Sequence, residues 1–404
     1  MERINDYIDC WAKAVKVPKE DVEVVKELIP KLIIKYTPVF KEITVEEDGY
    51  DKYPIKPKNG SYSLEDFFLN RLLRNVWNFG QTSSYKGDYT PDDLCVSFNQ
   101  EQLRIQLAKF ISKDRDDFKE LDEIARKKVK MHEFEHALQT RFNISSLDLR
   151  YRETYKNIIE NIKQIKKGEY ANEVYDYEFL RDKDYFGARE TYISTGLHYS
   201  GTVKEIKTYR EVEGFDNLNE IFNESESLEM AGARRQTYRV YDKKHYYEIR
   251  NMESSNFPIT NYGNLIKLLL GDKTTFKGMY LDASNAFKTF NDRYADIFKE
   301  YFNNDKDAVE NLIIMLDKIK KDDELKDHLF IQEVLSKCML KKVQHNLGKT
   351  SPEILKEELK QFKSYCVWGV DKESRNELNH YHIILKARDL INEQIEKEKN
   401  NKKV

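Results

Sequence analysis

The sequence predicts an α+β protein dominated by helices. Three observations lead there. Apolar residues recur at three- and four-residue spacing over most of the chain, Leu94–Phe98 alternates apolar with polar, and Tyr192–Glu213 mixes β-branched and polar residues in a hairpin-like pattern.

Taken in order, Val22, Val25, Leu28, Ile29 and Leu32 lie on one helical face, and Pro54 and Pro57 interrupt a polar loop from Glu46 to Gly60. Ser63-Leu64-Glu65-Asp66 has the form of a capped helix start, continued by Phe67, Phe68, Leu72 and Leu73. A turn-rich stretch, Gly80 to Asp93, precedes the alternating strand. Helical spacing resumes from Gln100 to about Asn143, again over Arg150 to Lys167, and again from Leu218 to about Ala233. A tyrosine-rich region, 238–262, separates these from amphipathic helices over 264–302, 306–345 and 353–397, broken at Gly271, Asn303, Gly348 and Gly369. The expected organisation is a helical N-terminal segment over 1–60, a core over 61–235 and a helical C-terminal domain over 236–404, a length at which each part can bury its own interior.

Composition excludes several classes. Apolar residues make up 40% and charged residues 34%, the balance of a folded, highly charged chain. Lys+Arg (68) and Asp+Glu (71) nearly cancel, without the basic excess of a nucleic-acid binder. Cys10, Cys95, Cys338 and Cys366 are far apart, which argues against a disulfide scaffold and suits a reducing compartment. The start Met1–Asp6 lacks a secretory h-region, and no apolar run approaches the length of a membrane helix. The expectation is therefore a soluble, cytoplasmic protein with no membrane and no nucleic-acid partner; oligomeric state leaves no signal.

The chemistry concentrates at His132-Glu133-Phe134-Glu135-His136. On a helix, residues four apart share a face, so both imidazoles can reach one metal ion. Glu133 stands about 100° round the helix from His132, beside the ion without binding it. A zinc ion lowers the pKa of its water toward neutrality, so a carboxylate there can act as general base. With 8 histidines in the chain, chance supplies only about 0.02 such motifs. Val129, Met131, Phe134, Ala137 and Leu138 make the helix largely apolar, placing the His pair partly inside the protein, where imidazoles need partners.

The run Val129–Leu138 resembles the signature helix of zincin metallopeptidases. Lys130 and Glu135 depart from its pattern, which keeps those positions uncharged; Glu135 is expected to face solvent or a basic partner. Gln139–Ser146 holds neither the glycine nor the third histidine of metzincins. Leu218-Asn219-Glu220-Ile221-Phe222-Asn223-Glu224 instead resembles the Asn-Glu-x-x-x-acid segment of gluzincins, the thermolysin-like branch, although Ile221 and Asn223 stand where many relatives carry Gly and Thr or Ser. The resemblance implies a zincin-like core over 61–235, Zn2+ as cofactor, His132, His136 and Glu220 as its ligands, Glu133 as catalytic base, and Glu224 hydrogen-bonded to a ligand histidine.

From the residues alone, Glu220 and Glu224 share a helix face that a solvated acidic surface would explain equally, and His198 is a rival third ligand, ahead of Asp148, Asp184 and Glu190. Tyr238, Tyr241, His245, Tyr246 and Tyr247, or the pair His380 and His382, are places to seek an oxyanion donor. The segment Asn78–Phe98 is a candidate sheet edge for an extended peptide. The functional expectation is a zinc-dependent peptidase acting on a peptide or protein substrate; the alternative is a zinc-binding regulatory or interaction protein of the same fold with little turnover.

Overall fold

Most of the expected helices form. The computed structural model describes residues 2–48, 55–78, 87–90, 95–105, 107, 116–142, 192–204, 209–214, 216–233, 235–241, 244, 246–252, 260–305, 308–318 and 325–401. These are predominantly helical, with small sheets whose pairings are mostly antiparallel. Two compact units divide the chain: residues 1–219, 226–233 and 276–283 in one, and 220–225, 234–275 and 284–404 in the other.

The first unit opens with α1 (Glu2–Val15) and α2 (Lys19–Tyr36), which bury Tyr7, Ile8, Trp11, Val25, Leu28 and Ile29. Strand β1 (Glu42–Thr44) leads into a single turn, α3 (Val45–Asp48), and pairs with β2 (Ser61–Ser63). Ser63 caps α4 (Leu64–Leu73): its hydroxyl oxygen accepts from Asp66 N–H at 3.1 Å. Three strands follow, β3 (Val76–Asn78), β4 (Gly87–Thr90) and β5 (Cys95–Phe98). In their sheet, β5 is central, parallel to β3 and antiparallel to β4. All four residues of β5 are buried, so the alternation in sequence does not mark one wet face.

After α5 (Gln100–Arg104) comes the long α6 (Phe118–Gln139). The expected helix to Asn143 stops earlier: Thr140 turns extended, and β6 (Thr140–Phe142) joins a sheet instead. Its register pairs Thr140 with Thr195 of β7 (Tyr192–Thr195), which turns through Gly196-Leu197 into β8 (His198–Lys204) and then β9 (Tyr209–Gly214). A distant strand thus outcompetes local helix propensity. The helix expected over Arg150–Lys167 lies outside the described residues. Next is α7 (Asp216–Ala231), one continuous helix. A π-helical turn, Lys277–Leu281, also belongs here; Phe276 before it packs on Tyr36 and Phe40 with ring centroids 4.9 and 4.8 Å away.

In the second unit, the tyrosine-rich region forms a hairpin, β10 (Arg235–Tyr241) and β11 (Tyr246–Met252), with β12 (Trp368–Gly369) on its edge. Helices α8 (Thr260–Leu270), α9 (Asp272–Phe276), α10 (Ala283–Tyr301), α11 (Ala308–Lys318), α12 (Leu325–Asn346), α13 (Pro352–Ser364), α14 (Lys372–Asn376) and α15 (Asn379–Asn401) follow in order. Left-handed residues end two of them where the sequence marks breaks, Gly271 (φ 80°) and Asn303 (φ 54°). Among the described residues, no helix is long and apolar enough to cross a membrane.

Candidate metal centre

Helix α6 is fixed in place from three sides, all within the first unit. Lys130 reaches Asp21 of α2 at 2.5 Å and Lys127 reaches Glu27 at 2.6 Å. Phe134 packs between Trp11 (centroids 6.3 Å) and Phe98 (5.8 Å). The end of the helix is held by α4 and the residues that follow it: Arg71 donates to the Thr140 carbonyl at 2.8 Å, Arg74 donates to the same oxygen, and Asn75 donates to Ala137 O at 3.4 Å. Cationic donors on the last carbonyls complement the negative end of the helix.

This anchoring presents the histidine pair as the four-residue spacing predicts. His132 and His136 are buried, 9% and 8% exposed, with ring planes at 88° and Nε2 atoms 3.1 Å apart. Two imidazoles on one ion at about 2.0–2.1 Å with tetrahedral angles would hold their nitrogens about 3.3 Å apart, so the spacing fits shared coordination. Tyr89 of β4 stacks on His136 at 6.4 Å and 11°. Burial pushes the Tyr89 hydroxyl above its usual range, and that hydroxyl donates to Asn75 Oδ1 at 3.3 Å.

Helix α7 carries the proposed third ligand. Leu218, Ile221, Phe222, Leu228 and Met230 are buried, as their spacing predicts, and Glu220 is half-buried. Among the described residues, His132, His136 and Glu220 form the one group of three His, Cys, Asp or Glu side chains that can hold a metal ion, with ligand atoms all within 4.8 Å of one another. A donor set of two imidazoles and a carboxylate fits, in ligand type and number, a site that would hold a zinc ion.

Three acids differ from a simple surface reading. Glu135, expected to face solvent or a basic partner, is fully buried (0% exposed). It lies near Tyr280 of the π-helical turn, whose hydroxyl is pushed well up by burial and then by Glu135 and Glu226. Glu224 is 2% exposed rather than solvated. Glu226 is buried too, accepting from Lys35 at 2.8 Å and from the Tyr36 hydroxyl at 2.6 Å. Burial opposes the charge on Lys35, but Glu226 and Glu229 hold its ammonium above the usual lysine range.

Two neighbours of these groups had no role assigned from sequence, although Asn219 stands in the segment that resembles gluzincins. Gly87 of β4 lies over Glu133: a Cβ there would come within 2.7 Å of Glu133 Cγ and 3.1 Å of its Oε1. The only cue was a lone glycine among turn residues, which is weak. Asn219, adjacent to Glu220, is 1% exposed; its amide nitrogen lies 3.4 Å from His136 Nδ1, and its oxygen accepts from Leu197 N–H at 2.8 Å.

The other candidates resolve differently. The side chains of His198, Tyr238, Tyr241 and Tyr246, together with Asp148, Asp184, Glu190 and His245, lie outside the described set. Tyr247 is a packing residue, clustered with Val367 and Leu378. His380 is buried and donates to Val367 O at 2.7 Å; the exposed His382 donates to Asn376 O at 2.9 Å. Both serve backbone contacts in the second unit. Compared with protein-family models, curated proteins and solved structures, the chain matches none.

Proposed function

We propose that the chain is a zinc-dependent peptidase with His132, His136 and Glu220 as metal ligands and Glu133 as general base. The observation that carries this reading is the convergence of those three ligand groups from two separate helices, with Glu133 alongside on the same turn of α6 as His132. Accidental HExxH motifs have no reason to gather a third donor 84 residues further along.

A zinc ion held there supplies a Lewis acid and an acidified water. Glu133, half-buried, accepts the water proton and passes it to the leaving nitrogen of the scissile bond. Strand β4 has β5 as its one strand partner among the described residues, so its other edge offers main-chain groups to an extended peptide beside Glu133. Gly87 supports that placement, because any larger residue would intrude on the base.

The decisive comparison is wild type against Glu133→Gln, measuring both bound zinc and hydrolysis of a mixed peptide library. Wild type should hold one zinc per chain and cleave, while E133Q should keep zinc and lose at least about 100-fold in rate. Stoichiometric zinc with no cleavage by wild type, and full cellular function in E133Q, would point to a zinc-dependent regulatory protein instead. Absence of zinc after purification and reconstitution defeats both.

A further inference from the structure

We propose that Gly263 of α8 is the positioning residue for Glu220, an assignment that rests on the metal reading above. Glycine is an unfavourable choice inside a helix, where alanine loses less chain entropy. Gly263 nevertheless stands fourth of the eleven residues of Thr260–Leu270 and is buried. Its surroundings account for it. A Cβ there would come within 2.5 Å of the Ile221 carbonyl oxygen and 3.1 Å of Ser225 Cβ, both on α7. The two helices therefore meet at their backbones, one residue past Glu220 and within the second unit.

Helix α8 has little room to retreat. Lys267, one turn beyond Gly263, donates to the Ser225 hydroxyl at 3.2 Å and makes a second contact with α7. Just before the glycine, the Tyr262 hydroxyl lies 2.7 Å from His328 Nδ1 of α12. The last carbonyls of α8 are held as well. Lys342 donates to Leu268 O at 2.6 Å, Arg293 to Leu270 O at 2.8 Å and the Tyr294 hydroxyl to Leu269 O at 3.1 Å. Leu265, Ile266, Leu269 and Leu270 are buried between these points.

Magnitudes decide what a larger residue would do. Ordinary contact begins near 3.5 Å, so a methyl group at 2.5 Å demands about 1 Å of separation. Metal–ligand distances tolerate only about 0.2 Å. With α8 pinned along its length, the movement falls on the Ile221 turn of α7, and Glu220 moves with it. His132 and His136 stay where Lys130 and Phe134 anchor α6. The bare Cα at position 263 thus sets how closely the Glu220 carboxylate approaches the two imidazoles.

The test is a double-mutant cycle on zinc affinity, by chelator competition in the full-length chain. It compares wild type, Gly263→Ala, Glu220→Ala and the two changes together, with cobalt(II) spectra reporting ligand geometry. G263A should bind zinc at least about 10-fold more weakly than wild type and shift the cobalt bands. In the E220A background the same change should weaken binding less than about 2-fold, because the carboxylate it displaces is already gone. A G263A affinity within about 10-fold of wild type overturns the proposal. So does an equal loss in both backgrounds, which would mark Gly263 as a packing residue. If G263A does not fold, Lys267→Met, which removes the Ser225 contact, takes its place in the cycle. It should weaken binding at least about 3-fold with Glu220 present and not without it; any other result overturns the proposal. Zinc binding that E220A leaves unchanged removes Glu220 as a ligand and this inference with it. A wild-type chain that takes up no zinc overturns the metal reading as well, whereas failure of G263A alone leaves that reading standing.

Discussion

At the scale of single residues, the region around α6 combines close packing with buried charge, and both have measurable consequences. Asp21 is 0% exposed, and burial raises its carboxyl above the usual range despite the Lys130 ammonium beside it. Removing one partner of such a pair leaves the other uncompensated, whereas removing both need not. Lys130→Met should therefore destabilise by about 3 kcal/mol, with Asp21→Leu in the same chain recovering most of it, as read from urea unfolding. A single variant as stable as wild type would contradict that. Gly87 makes a different prediction. Gly87→Ala forces Glu133 to shift, and misplacing a catalytic group by about 1 Å can cost roughly 100-fold. The expected outcome is a large loss of kcat/KM at unchanged zinc content; lost zinc would instead mean that the whole centre had been disturbed. Lys130 and Glu135 looked in sequence like departures from a metal-binding helix, because sequence shows charge but not depth. Burial against α2 and near the π-helical turn is where those charges belong.

At the scale of elements, local periodicity made most helices legible, including α2, α4, α7 and the C-terminal series. The Ser63 cap was readable because capping is a contact between neighbours in sequence. What could not be read depends on distant partners: β6 ends α6 early because it pairs with β7, which begins 52 residues after β6 starts, and periodicity carries no information about such pairing. The His132–His136 pair was legible for the same reason as the helices. Glu220 needed a resemblance, and Asn219 needed coordinates. The second unit shows another long-range clamp, in which Gln332 accepts from Val367 N–H at 2.6 Å while His380 donates to Val367 O, holding the chain just before β12. Burial holds the His380 imidazole below its usual range, with the Val367 carbonyl and Glu333 pulling the other way. A depressed folded pKa means that the unfolded chain binds the proton first. Its contribution is thus complete above about pH 6.5 and is lost progressively as pH falls toward the folded pKa. The urea midpoint of wild type should drop between about pH 7 and 5 more than that of His380→Gln; parallel drops would remove His380 as the cause.

For the whole molecule, with a formal net charge of only -3, the proposed metal is the ligand most able to move stability from outside. A ligand that binds only the folded chain stabilises it by RT ln(1 + [L]/Kd), about 2.7 kcal/mol at a hundredfold excess over Kd. With two compact units, unfolding need not be a single two-state transition, so the informative quantity is the shift of each transition rather than one melting temperature. Chelation should lower at least one transition of wild type, and added zinc should restore it. In His132→Ala and His136→Ala the same transition should sit near the chelated wild-type position and ignore both reagents, because each loses one of the three proposed ligands. E133Q, which changes none of the three proposed ligands, should respond to zinc as wild type does. That contrast separates binding from chemistry without any substrate. Zinc-insensitive melting of wild type would remove the basis for metal-dependent hydrolysis, however well the five-residue motif reads.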